Sequence, residues 1–150
     1  MLRLRPHHIL DIVRNIGNQR PVVPHEYGHL VHEITRIIMN DIDTRCILVV
    51  ENDDICGPCK MLTADRKCID VLHQLDVPIS KQEYNDNLDK KLLKYFKLHE
   101  NTEMTIREFL NLASLDLDGL VKICTHPKED KEYRKRGLVE GMKRLGLSIE

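Results

Sequence analysis

Cys56, Cys59 and Cys68 fall within thirteen residues of one another, and this cluster constrains the fold more than any other feature of the chain. The stretch from Ile55 to Lys67 is too polar to be core, so its cysteines need another use. In Cys56-Gly57-Pro58-Cys59 a C-x2-C pair brackets good turn residues and sets two thiols on one side of a tight turn. Cys68 follows closely enough for the same loop to fold back and add a third. Soft thiolates gathered this way select zinc or an iron–sulfur cluster. Either needs a fourth ligand. Cys124 is the natural choice, because it ends an apolar segment and Thr125-His126-Pro127 opens a new loop there. His126 and His73 are the substitutes. Cys46, inside an apolar run, reads instead as a small buried hydrophobe.

The compartment supports ligation over disulfides. The opening MLRLRPHH has no signal-peptide core, and no apolar run approaches the roughly 20 residues that span a bilayer. A cytoplasmic location, where thiols stay reduced, is the expectation. A formal net charge of -1 gives no electrostatic case for nucleic acid. Aromatic residues are 4% of the chain, too few for base-stacking platforms. The core must be mostly Leu, Ile and Val.

The pattern predicts one domain over residues 1–150, mainly α with a minimal β element (α+β). It reads as a compact helical domain with a short two-stranded sheet and a cysteine-bearing metal loop. Leu2-Arg3-Leu4 suits an edge strand, and RCILVVE from Arg45 to Glu51 suits a buried one. Pro6 opens a helix whose Ile9, Ile12, Val13 and Ile16 recur at helical spacing, with Gly17 as its stop. A second helix is expected from Pro24, carrying Tyr27, Leu30, Val31, Ile34, Ile37 and Ile38. Ile69, Leu72, His73 and Leu75 suggest a short one. Capping boxes at Ser80-Lys81-Gln82-Glu83 and Thr105-Ile106-Arg107-Glu108 open two more. An apolar stretch from Leu117 to Cys124 and a final helix with Tyr133, Leu138, Val139 and Met142 complete the chain.

Three further motifs compete for a role. Cys56 to Met61 has the letters of a thioredoxin active site. That chemistry wants a helix N-terminus and a low thiol pKa, whereas Asn52-Asp53-Asp54 would raise it. His25-Glu26-Tyr27-Gly28-His29 spells H-E-x-x-H. Its first histidine sits in a helix's first turn, and His32 is about 10 Å along the axis from His25, so both cannot bind one ion. Arg5-Pro6-His7-His8 decorates a helix start, where the histidines could ligate a metal or bond cluster sulfurs. The basic run Arg134-Lys135-Arg136 reads as a solvated helix face.

The segments Leu4-Arg5-Pro6-His7-His8-Ile9-Leu10 and Asp53-Asp54-Ile55-Cys56-Gly57-Pro58-Cys59 together resemble the domain of unknown function 1284 family, short prokaryotic proteins described as iron–sulfur binding. The resemblance runs most of the chain and includes Ile123-Cys124. It implies Cys56, Cys59, Cys68 and Cys124 as ligands of one cluster, [4Fe–4S] by preference, and brings His7 and His8 to the site's neighbourhood, where the position of His126 beside Cys124 also puts it. Many members carry a cysteine three places after the second histidine, where this chain has Asp11, and extra cysteines after the late Ile-Cys, where it has Pro127. The expectation is a small cytoplasmic iron–sulfur protein in electron transfer or redox sensing, more a binding protein than an enzyme, with a redox partner protein and neither nucleic acid nor membrane. A structural zinc protein with the same ligands, and an enzyme whose cluster binds substrate, are the alternatives.

Overall fold

The computed structural model describes residues 1–72 and 79–149. In chain order it runs β1 (Leu2–Leu4), α1 (Pro6–Gly17), α2 (Val31–Asn40), β2 (Arg45–Leu48), α3 (Lys81–Phe96), β3 (Glu103–Thr105), α4 (Ile106–Ala113), a 3-10 turn (Ser114–Asp116), α5 (Leu117–Cys124) and α6 (Lys131–Arg144). The fold is mainly helical α+β, as the periodicity predicts. The sheet has three strands rather than two: β2 lies in the middle, parallel to β1 and antiparallel to β3. Glu103–Thr105 escapes a sequence reading because it is three residues long and runs straight into a capping box.

Several elements follow from local chemistry. Pro6 begins α1, where its missing N–H costs nothing. The Ser80 hydroxyl accepts the Glu83 N–H at 3.3 Å, and the Thr105 hydroxyl accepts the Glu108 N–H at 3.0 Å, so Ser80 and Thr105 cap their helices as expected, through the hydroxyl half of each box. Lys97, in the left-handed region at φ 57°, ends α3. Leu4, Ile9, Val13, Ile38, Leu48, Leu92, Phe109 and Leu138 are fully buried in one core, with the Phe96 and Phe109 rings edge-to-face at 5.3 Å. Among the described residues no helix is long and apolar enough to cross a membrane.

Two expected helices differ. The second begins at Val31, not at Pro24. Residues 25–30 form a turn instead, because their backbone is used elsewhere: Leu30 N–H donates to Ile55 O at 2.9 Å, and Tyr27 O accepts from Lys60 N–H at 2.7 Å. Gly28 sits at φ +79°, with Pro58 O 3.2 Å from where a Cβ would stand. On α2 itself Ile34 and Ile38 are buried while Ile37 faces solvent. Around residue 70 the chain is extended, since Val71 bridges to Ser80 and Leu72 N–H donates to Ile79 O. His73 and Leu75 lie outside the described residues.

The sheet and α1 aim the cysteine loop. Strand β2 stops at Leu48, but Val49 N–H still donates to Leu4 O. The chain then curls back across β1: Asp54 N–H donates to Arg3 O at 3.1 Å, and Arg3 N–H donates to the Asp54 carboxylate at 2.8 Å. Residues 52–56 therefore cross the first turn of α1.

Candidate metal centre

A cavity of about 530 Å³ opens where the first turns of α1 and α3, the cysteine loop and the end of α5 meet. Cys56, Cys59, Cys68 and Cys124 all line it, as do His7, His8 and His126. Residues separated by more than a hundred positions thus face one space.

The floor is the N-terminus of α1. No side chain of its own caps that end, and its first turn holds no acid. Two buried carboxylates from other elements do so. Asp89 of α3 accepts the His7 N–H at 2.9 Å, His7 Nδ1 at 2.9 Å and the Arg5 guanidinium at 2.9 Å. Asp53 of the loop accepts the Arg5 N–H at 2.7 Å, His8 Nδ1 at 2.7 Å and the Ile55 N–H at 3.1 Å. Negative charge at a helix N-terminus is favoured by the helix dipole, and here it also ties three elements together. Burial alone would raise the Asp53 carboxyl, but His8 and the Arg5 N–H override it and bring it to about 2. Burial would likewise lower the His8 imidazolium, and Asp53 reverses that to a net rise.

These bonds decide what each imidazole offers. With Nδ1–H given to a carboxylate, His7 and His8 keep Nε2 for the cavity, and no described group bonds either Nε2. His126 is the reverse: its Nδ1 accepts the Lys128 N–H at 3.0 Å, so Nε2 carries the hydrogen, buried and without a partner. In their neutral forms His7 and His8 keep the Nε2 lone pair for the cavity, whereas His126 keeps an N–H there.

The loop is a turn followed by a small hairpin. Cys59 N–H donates to Cys56 O at 2.9 Å across Gly57-Pro58. Leu62 then bridges Cys68 in antiparallel sense, and Thr63 N–H donates to Lys67 O at 2.9 Å, which returns Cys68 to the cavity that Cys56 and Cys59 line. Gln82 in the first turn of α3 accepts the Cys68 N–H at 2.8 Å and an Asn52 amide N–H at 2.7 Å.

The far wall holds Cys124. Its sulfur accepts Nε–H of Arg134 at 3.0 Å, and Arg134 also pairs with Asp11 at 2.8 Å and Glu129 at 3.2 Å. Burial raises the Cys124 thiol's pKa, and Arg134 opposes that rise. Arg134 is therefore no part of a solvated face: it is 1% exposed. It shares the inward stripe of α6 with Leu138 and Met142, four and eight positions on, a spacing that the reading of Arg134-Lys135-Arg136 as a charge run overlooks. Asp89 is hidden in the same way among Leu88, Leu92 and Leu93 of α3.

Two competing motifs lose their geometry. Cys56 lies in turns rather than at a helix start, and burial with the Asp53 carboxylate pushes its thiol up to about 12, the wrong direction for a dithiol oxidoreductase. His25 and His29 are off any helix and stack with ring centroids 4.5 Å apart, while His25 Nδ1 accepts the Tyr27 N–H. Cys46 is fully buried in the middle of β2, its thiol raised by burial to about 11. Cys46→Ala should leave metal content unchanged, measured as metal per chain, at a stability cost of about 1 kcal/mol.

A family model described as "Protein of unknown function (DUF1284)" matches residues 25–129, more than half of the chain; the match takes in the motif from Asp53 to Cys59 and Ile123-Cys124, and the motif from Leu4 to Leu10 lies before it. No curated protein and no solved structure matches.

Proposed function

The chain belongs to the DUF1284 family, and from the chemistry of its own cavity we propose that it holds an iron–sulfur cluster for one-electron transfer or redox sensing. One observation carries this reading. Four cysteines from the loop and from the end of α5 line a single cavity of about 530 Å³. Cys56, Cys59 and Cys68 are the loop ligands, and Cys124 is the thiol available on the opposite wall. A [4Fe–4S] cluster uses such a spread donor set.

Zinc and a cluster would call on the same thiols, so the metal and sulfide content of the protein decides between them. Around the cavity Asp53, Asp89 and Asp11 outnumber the buried Arg5 and Arg134, and this excess of negative charge would favour the oxidised cluster and a low potential. The cluster would supply the electron, and the protein would set its potential through burial and these charges.

The test is an absorption spectrum of anaerobically prepared protein, with iron, zinc and acid-labile sulfide assayed on the same sample. The expected result is a brown solution with about four irons and matching sulfide per chain. Cys56→Ser, Cys59→Ser and Cys68→Ser should each lose most of that iron. A colourless protein with about one zinc per chain overturns the redox role and leaves a structural staple.

A further inference from the structure

We propose that His8, through Nε2, is a metal ligand of this centre and takes the fourth position beside Cys56, Cys59 and Cys68, leaving Cys124 as the partner of Arg134. The inference rests on the cluster reading above and makes the centre a mixed nitrogen–sulfur one.

Three observations carry it. Among the described residues, one set of three potential ligands has its donor atoms within 4.8 Å of one another: His8, Asp53 and Cys56. Within that set Asp53 is the orienting group, since its two oxygens already accept from the Arg5 N–H, the Ile55 N–H and His8 Nδ1. A carboxylate that fixes one ring nitrogen leaves the other as a lone pair of set direction, which is how proteins prepare an imidazole for metal. His8 therefore has a ring nitrogen within 4.8 Å of the Cys56 sulfur, its Nδ1 is committed to Asp53, its Nε2 has no partner among the described residues, and its ring lines the cavity.

Cys124 is placed differently. Its sulfur has a buried partner in Arg134, which Asp11 and Glu129 hold in position. Ligation by Cys124 would require that sulfur to serve cluster and guanidinium together, whereas ligation by His8 disturbs no existing bond. His7 is the internal control. Its ring lies 4.4 Å from that of His8, with Nδ1 held by Asp89, yet it is outside the set that contains Cys56.

The experiment uses the full chain, loaded anaerobically with ferrous iron and sulfide, reduced, and examined by pulsed electron paramagnetic resonance with and without 15N-histidine. The expected result is one strongly coupled imidazole nitrogen that changes with the label. It persists in His7→Ala and in Cys124→Ser, which also keeps its iron. In His8→Cys the iron stays, the nitrogen coupling disappears and the potential falls, because thiolate replaces imidazole. A cluster without strongly coupled nitrogen in the unsubstituted chain overturns the proposal and leaves the all-cysteine cluster standing. So does a coupling that survives His8→Cys. A chain that takes up neither iron nor sulfide overturns the cluster reading itself.

Discussion

Asp89→Asn should destabilise the metal-free chain by about 3–5 kcal/mol, the usual cost of removing one partner from a buried charge pair. Asp89 and Arg5 are both fully buried, and the carboxylate also accepts the backbone N–H and Nδ1 of His7. An amide of the same shape keeps the packing and removes the charge. The Arg5 guanidinium is then left in the interior with Asp86, itself partly exposed, as its remaining anion. The first turn of α1 loses one of the two carboxylates that satisfy it. Urea unfolding followed by helical circular dichroism measures the loss as a lower midpoint at unchanged slope. A change below about 1 kcal/mol would mean that Asp86 suffices for Arg5 and that Asp89 is no staple. The effect on the site should be visible separately, because freeing His7 and the α1 N-terminus loosens the floor on which His8 stands.

Gly141→Ala should cost about 3 kcal/mol or more, at the upper end of what overpacking does. Helices α1 and α6 cross at three glycines, and the contact is backbone against backbone. A Cβ on Gly141 would lie 2.0 Å from Val13 O, and one on Gly17 would lie 1.8 Å from Gly137 O. Neither neighbour can rotate away as a side chain could, so the helices must separate. Separation moves Arg134 on α6 away from Asp11 on α1, breaking the 2.8 Å pair on the far wall of the cavity. Gly57→Ala is the matched control, since its Cβ would meet nothing nearer than Asp54 O at 3.7 Å. That change should stay within about 0.5 kcal/mol. Equal midpoints for the two variants would show that α1 and α6 can part without cost.

Much of this molecule is legible before any coordinates. Helix α1 runs from Pro6 to Gly17, as its proline, apolar spacing and glycine stop predict. The boxes at Ser80 and Thr105 start α3 and α4. The cysteine loop folds back as the spacing requires, and all seven residues expected in or beside the site line one cavity. Each of these rests on local rules, such as caps, turn residues and a repeat of 3.6, that act within a few residues and need no knowledge of partners.

What the chain alone determined is therefore helices α1, α3 and α4, their caps and the inventory of thiols and imidazoles. Only the tertiary structure decided which buried charges sit among them. Asp89 and Arg134 carry the ordinary letters of solvated helix faces, yet each lies inward because a partner from another element is there: Arg5 for Asp89, and Asp11 with Cys124 for Arg134. A buried ion is tolerated when it is paired, and pairing across tens of residues leaves no local trace in the sequence. The same holds at Tyr27 and Leu30, whose backbone groups bond to the cysteine loop instead of a helix. It holds again at His8, where Asp53 chooses the nitrogen that faces the cavity. Propensity acts on neighbours in the chain, but satisfaction of charge and hydrogen bonds is settled by neighbours in space.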